Sequence, residues 1–190
     1  MKKKRKLVEY DINKDLLKQR VIVLPSEISF DTVNKVVKQI LFLEAINKEP
    51  IKIWINCLGG NIWAGLHLVD VIEWVKYPVI TIGSGIVASM SVPILVVGDI
   101  RFITENTFIM LHPFSTSERD YLPFVKSSIE HAEELEKIYI SILKRKTKIP
   151  NHIFEEAQRK EVYINSKEAI KWQIIDGILK RKKSQKKLKK

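Results

Sequence analysis

Residues 51–61 read Ile51-Lys52-Ile53-Trp54-Ile55-Asn56-Cys57-Leu58-Gly59-Gly60-Asn61, and this stretch decides the architecture. The run from Ile51 to Asn56 predicts a strand, and Gly59-Gly60 is its turn. Asn61 then caps a helix that carries Ile62, Gly65, Leu66, Val69 and Ile72 on one side. A strand, a glycine turn and a capped helix in direct succession form the unit from which α/β sheets are built.

The same alternation extends in both directions. Upstream, Arg20 to Leu24 predicts a short strand stopped by Pro25. Ser29 or Asp31 then caps a helix with Val33, Val36, Val37, Ile40 and Leu41 on its apolar face. Downstream, Pro78 to Gly83 predicts a third strand, followed by an apolar helix from about Ala88 to Val97. Further strands are expected at Ile100 to Thr104 and Phe108 to Leu111. A long amphipathic helix spans about Leu122 to Lys146, with Val125, Ile129, Ala132, Leu135, Ile138 and Ile142 facing inward. Pro150 starts a short helix, Val162 to Ile164 is strand-like, and Asn165 with Glu168 forms a capping box for the last helix. The fold class is therefore α/β, with a buried and largely parallel sheet and no internal repeat.

Charge and composition narrow the function. The 190 residues suit one domain with a full core. The net charge of +11 suggests nucleic acid until it is located. Residues 1–6 hold five Lys/Arg and residues 180–190 hold eight, with no acids in either stretch. Setting those thirteen aside leaves twenty basic residues against twenty-two acidic ones, so the body is slightly acidic. The basicity lies in two tails, and the body offers no basic stripe interleaved with aromatics, which argues against specific nucleic-acid binding. The organisation is a basic tail at residues 1–9, one folded domain at 10–179 and a basic tail at 180–190. Cys57 is the only cysteine, so no intrachain disulfide forms and a reducing, cytoplasmic compartment is expected. Glu9 and Asp11 follow the cationic N-terminus where a signal peptide would be apolar, and no apolar run is long enough to span a membrane. The chain has no phosphate-binding glycine-lysine loop, and no cofactor or metal is expected.

Three turn-like segments carry the chemistry: Asn56 to Asn61, Gly85 to Met90 and Phe108 to Pro113. Ser89 follows a strand at the first turn of a helix, where free amides and the positive helix end favour a developing oxyanion. Ser84 and Ser91 compete with it but combine less well with the other two segments. His112 closes a strand, and Pro113 biases it toward an extended backbone that presents the imidazole to a neighbouring loop. His131 and His152 read as helix-surface residues, and His67 as a packing residue. Gly59-Gly60 supplies either a plain positive-φ turn or an outward amide, and Cys57 is a poor nucleophile with no histidine beside it. Taken singly, the serine, the histidine and the glycine pair are each common structural residues. Together they supply the nucleophile, base and amide donors of a serine hydrolase.

In this order and spacing the segments resemble the proteolytic subunit family of the Clp protease, which has the Clp/crotonase fold. The resemblance runs from Tyr10 to Leu179 and includes Tyr10-Asp11-Ile12, Leu16-Leu17-Lys18-Gln19-Arg20-Val21-Ile22 and Leu41-Phe42-Leu43-Glu44. Ile55-Asn56 with Gly59-Gly60, Ala88-Ser89-Met90, Met110-Leu111-His112, Ser166 with Glu168-Ala169, and Ile175-Asp176 complete it. It implies repeated β-β-α units with a long protruding handle helix. Ser89 becomes the nucleophile, His112 the general base, and the amides of Gly60 and Met90 the oxyanion hole. Aligning back from Asp176 puts Glu161 where the family has its triad aspartate, with Glu156 as the nearest substitute. The family's Gln-Pro and glycine-rich strand after the histidine are replaced here by Pro113 and a glycine-free segment through residue 121. Val92-Pro93 replaces the small residues that usually follow the nucleophile, and Arg159 and Lys160 stand where the family pairs charges between rings.

The resemblance implies an endopeptidase that cleaves unfolded polypeptide inside heptameric rings, which can stack to a tetradecamer, with an AAA+ unfoldase as partner. The alternatives are a phage- or plasmid-type processing protease that needs no ATPase, a weakly active or non-catalytic ring subunit, and a crotonase-like acyl-CoA enzyme. The last has no use for a Ser89/His112 pair.

Overall fold

A computed structural model describes residues 11–114 and 122–180, with side chains omitted for 122–127. In chain order the elements are α1 (Ile12–Lys18), β1 (Val21–Val23), α2 (Phe30–Ile46), β2 (Ile51–Cys57), α3 (Ile62–Trp74), β3 (Val79–Ala88) and α4 (Ser91–Val96). They continue as β4 (Ile100–Thr104), β5 (Phe108–Leu111), α5 (Leu122–Lys146), α6 (Asn151–Ala157), β6 (Val162–Ile164), α7 (Ser166–Lys171) and β7 (Gly177–Leu179). The seven strands form one sheet, ordered β1-β2-β3-β4-β7, with β5 pairing to β3 and to β6. Every described pairing is parallel except β5–β6, as expected for strands separated by helices. This is the mixed α/β architecture that the sequence implies.

The core sits between the sheet and the helices. Along β2, Ile51, Ile53, Ile55 and Cys57 are fully buried while Lys52 and Asn56 are exposed, a period-2 pattern set by the pleat. Val33, Val36, Ile40 and Leu43 of α2 pack into the same core, each buried aliphatic contributing about 1.5–3 kcal/mol. Ser29, not Asp31, caps α2: its hydroxyl accepts from the Thr32 amide at 3.2 Å, and the Thr32 hydroxyl accepts from the Ser29 amide at 2.9 Å.

Strand β3 runs five residues past the end that Gly83 suggests, and this extension builds the site. Ile80 to Gly83 pair with β4, while Ile86 to Ala88 pair with β5. Between the two halves, Gly85 takes φ +70° and its neighbour Ile86 donates its amide to the Asn56 side chain at 3.2 Å. The register against β2 shifts at the same level, between Ile55 and Cys57. The glycines are therefore a bend within a strand rather than its end.

Three further readings are corrected. Helix α5 has the expected span, but its buried stripe is Leu135, Tyr139, Ile142 and Leu143, whereas Ile129 and Ile138 are 49% and 44% exposed. On α3 the buried face is Ala64, Gly65, Leu68, Val69 and Ile72, with Ile62 and Leu66 only half-buried. His67 is exposed rather than packed. The N-terminal basic tail, the C-terminal basic tail after Lys180, residues 115–121 after the histidine, and the side chain of Val125 lie outside the described residues. Among the described residues, no helix is long and apolar enough to cross a membrane.

One ion pair closes the far edge of the sheet. Arg101 on β4 meets Asp176 before β7 through Nη2–Oδ1 at 2.6 Å and Nε–Oδ2 at 3.1 Å. The Arg101 amide donates to the same carboxylate, and its Nη1 donates to the Lys146 carbonyl at the end of α5, both at 2.8 Å. This fork-shaped pairing ties two strands and the long helix together.

Candidate active site

At the end of β3 the chain reverses through Ser89 and Met90 into α4. Ser89 has φ +53°, a left-handed conformation that a non-glycine residue holds only when its surroundings enforce it. Those surroundings are specific. The Ser89 amide donates to the Met110 carbonyl of β5 at 2.9 Å. Its carbonyl accepts from the Val92 amide at 2.9 Å and from the buried Tyr139 hydroxyl of α5 at 3.2 Å. Burial pushes the Tyr139 phenol well above its ordinary pKa, so it remains a neutral donor.

The glycine turn lies against this reversal. A Cβ on Gly59 would stand 2.6 Å from Ser89 Cβ and 2.9 Å from the Met90 nitrogen, and Gly59 also has φ +97°. No other residue fits there. The turn is held from the opposite side by Ile28, whose amide donates to the Gly59 carbonyl and whose carbonyl accepts from the Asn61 amide, both at 2.8 Å. The Asn61 side chain accepts from the Ala64 amide at 3.0 Å and so starts α3 as expected. Among the described residues, the Gly60 and Met90 amides donate to nothing. Two unpaired amides beside the Ser89 turn are the minimum donor set for an oxyanion.

Ser89, His112, Gly60 and Met90 line one cavity of about 230 Å³, together with Asn61, Ile62, Phe114 and Tyr139. Three sequence-distant segments thus converge, although no hydrogen bond joins the Ser89 hydroxyl to His112. His112 Nδ1 lies 2.6 Å from the Pro113 carbonyl oxygen. That oxygen can only accept, so Nδ1 carries the proton and Nε2 keeps a free lone pair in the neutral ring.

The competing residues are engaged elsewhere. The Ser91 hydroxyl is fully buried and donates toward the Ala88 and Cys57 carbonyls, at 2.7 and 3.0 Å. Cys57 is fully buried and burial pushes its thiol pKa up. Glu156 pairs with Lys160 at 2.6 Å, and the ammonium holds its carboxyl below the ordinary range.

Glu161 is not among the residues lining the cavity. It is exposed, and its Oε2 accepts from the Tyr163 hydroxyl at 2.7 Å. Its backbone position nevertheless bears on His112. The antiparallel ladder pairs Ile109 with Ile164, Met110 with Tyr163 and Leu111 with Val162. The ladder ends there, with His112 directly after β5 and Glu161 directly before β6; extending its register by one step would set the two across from each other.

Tyr139 and Phe114 are lining residues that the sequence reading does not single out. Their rings meet edge to face at 5.4 Å between centroids. Tyr139 shares the stripe of Leu135 and Leu143 at helical spacing, which marks it as buried but says nothing of Ser89.

Residues 3–182 match the Clp protease family. Over 173 residues the chain is 31% identical to a protein of Deinococcus radiodurans named "ATP-dependent Clp protease proteolytic subunit", covering 90% of this chain and 85% of that one.

Proposed function

This chain belongs to the Clp protease family, and on that premise we propose that it cleaves unfolded polypeptide inside a chamber of heptameric rings. It is a serine peptidase. In the proposed reaction, Ser89 Oγ attacks the scissile carbonyl carbon while His112 Nε2 takes its proton. The carbonyl oxygen becomes an oxyanion within reach of the Gly60 and Met90 amides, each such donor being worth about 3 kcal/mol in the transition state. The resulting imidazolium protonates the departing amine as the C–N bond breaks, leaving an acyl-serine. Water then gives a proton to His112, adds to the acyl carbon, and releases the acid with Ser89 restored. Glu161 is assigned the carboxylate that faces the second imidazole nitrogen, on the strength of the β5–β6 register extended by one step.

The observation that carries this reading is the shared cavity of Ser89, His112, Gly60 and Met90, with Ser89 held at positive φ. Assembly into rings is supported by apolar side chains left uncovered on a single chain. On α2 and α3, Phe30, Phe42, Ile46 and Trp74 are each more than half exposed, as expected of a surface that meets another copy. Because the chain has no nucleotide-binding loop, delivery of folded substrates falls to a separate AAA+ unfoldase. The single, buried cysteine suits work in the cytoplasm. Hydrolysis of a fluorogenic peptide by the wild type, and its loss in Ser89→Ala, tests the assignment. Equal turnover by the two proteins would reject it.

A second reading has its own observation. His112 is bonded to Pro113, Glu161 is bonded to Tyr163, and Ser89 is bonded through its hydroxyl to neither, which suits a ring subunit of low activity. Fluorophosphonate labelling of Ser89 in the assembled protein separates the two readings, since a non-catalytic subunit stays unlabelled.

A further inference from the structure

We propose that Tyr163 is a positioning residue for the catalytic histidine, acting through Glu161; this rests on the reading of Glu161 as the carboxylate partner of His112. Four observations converge. First, β6 pairs antiparallel with β5, and the last ladder pair is Leu111 with Val162. Extending that register by one step would place Glu161 across from His112. Second, Glu161 directly precedes β6 and is two residues from Tyr163, so continuing the strand alternation by one residue puts both on one face, the face His112 takes if β5 is continued likewise. Third, the Tyr163 phenol donates to Glu161 Oε2 at 2.7 Å, the length of a hydrogen bond to a charged oxygen. Fourth, no ion pair or second hydrogen bond engages the Glu161 carboxylate among the described residues.

The chemistry follows from what a carboxylate can accept. Each oxygen takes its own donors, so a phenol on Oε2 leaves Oε1 open. A glutamate has three rotatable side-chain bonds, and an exposed one samples many orientations unless something fixes it. Tyr163 supplies that restraint from two residues further along the chain. It keeps the carboxylate on the β5-facing side, where Oε1 can accept from His112 Nδ1 when that nitrogen leaves the Pro113 carbonyl. A phenol is suited to this task because it donates one proton and carries no charge. Lysine or arginine here would neutralise the field that stabilises the imidazolium.

The test is a set of four proteins: wild type, Tyr163→Phe, Glu161→Ala and the double variant. Peptide hydrolysis is followed from pH 5 to pH 9. Tyr163→Phe removes one oxygen from an exposed ring and leaves the strand intact, which a melting curve verifies. It is expected to lower kcat by about three- to tenfold with KM unchanged, in the range of one ordinary net hydrogen bond. The acid limb of kcat/KM is expected to move to lower pH, because an imidazolium less well faced by a carboxylate loses its proton more readily. In the Glu161→Ala background the same change should have no further effect, since the brace then has nothing to hold.

An unchanged or raised kcat in Tyr163→Phe, with Glu161→Ala impaired, would overturn the brace while keeping the carboxylate assignment. Additive losses in the double variant would also overturn it. Full activity in Glu161→Ala would instead remove the underlying reading, whatever Tyr163 does.

Discussion

The Tyr139 hydroxyl, buried on α5, donates to the main-chain carbonyl of Ser89 across 3.2 Å. The long helix is thereby connected to the one backbone conformation at the site that its residue type disfavours, the φ of +53° at Ser89. The Ser89 carbonyl also accepts from Val92, so the turn into α4 and the helix packed over it share one acceptor. Displacing α5 would loosen Ser89 without touching His112 or Glu161, its proposed partners.

Tyr139→Phe tests that connection. The ring and its edge-on packing against Phe114 remain, and only the oxygen is lost. One hydrogen bond is worth about 1 kcal/mol, so kcat and the rate of fluorophosphonate labelling are expected to fall roughly fivefold. KM should change little, because the cavity walls are conserved. Labelling at the wild-type rate would show that Ser89 keeps its conformation without the phenol.

Gly59→Ala is expected to be far more damaging. The added methyl would meet Ser89 Cβ and the Met90 nitrogen, neither of which can swing away, at a residue with φ +97°. Strain of about 1–3 kcal/mol should appear as a lowered Tm. Displacing the Met90 amide should also cost on the order of 100-fold in kcat, the usual effect of a lost oxyanion donor. Gly85→Ala is the comparison, with φ +70° and a methyl pressed on the Asn56 side chain. It should lower Tm similarly while sparing more of kcat, since its methyl meets the Asn56 side chain rather than Ser89 or the Met90 nitrogen.

The alternation of strands and helices was legible because each element carries its own period and its own cap: Ser29, Asn61 and Asn165 all cap where their side chains suggest. The residues proposed for the chemistry stood out by type and by position in turns, and the structure brings Ser89, His112, Gly60 and Met90 to one cavity. What escaped depends on contacts between distant segments. Strand β3 continues past Gly83 because Ile86 to Ala88 find β5 on one side and Val87 finds Cys57 of β2 on the other. Strand β7 is three residues long, and it exists as a strand only through its pairing with β4. Helix α5 buries Tyr139 and Leu143 rather than Ile138, a rotation of its face that an amphipathic pattern with apolar residues on several sides leaves open. The positive φ of Ser89 has no local signature, since serine rarely adopts it unaided. Glu161 shows the same division: its side chain is bonded to Tyr163, and its relation to His112 depends on the β5–β6 pairing that ends one residue short of both.

The Arg101–Asp176 pair makes an acid-stability prediction. The Arg101 guanidinium, with its own amide, holds the Asp176 carboxyl below its ordinary value of 3.8. A depressed pKa in the folded state means the unfolded chain binds the proton first. The stabilisation is therefore complete above pH 3.8 and is lost as pH falls through the lower, folded-state value. Asp176→Asn should lower stability at neutral pH and flatten the acid limb of the denaturation curve. Parallel acid limbs for the two proteins would show that Asp176 contributes no proton linkage.

Cys57 offers a last discrimination, between serine chemistry and thiol chemistry in the same turn. Its side chain is fully buried beneath Gly59, whose amide approaches the sulfur at 3.4 Å. Burial raises the thiol pKa, so at neutral pH the group is both protonated and shielded. A maleimide or disulfide reagent should therefore label Cys57 in the native protein orders of magnitude more slowly than in guanidinium. Peptidase activity should survive such treatment while a fluorophosphonate abolishes it. Rapid native labelling with matching loss of activity would instead place a reactive thiolate at the site and move the nucleophile from Ser89 to Cys57.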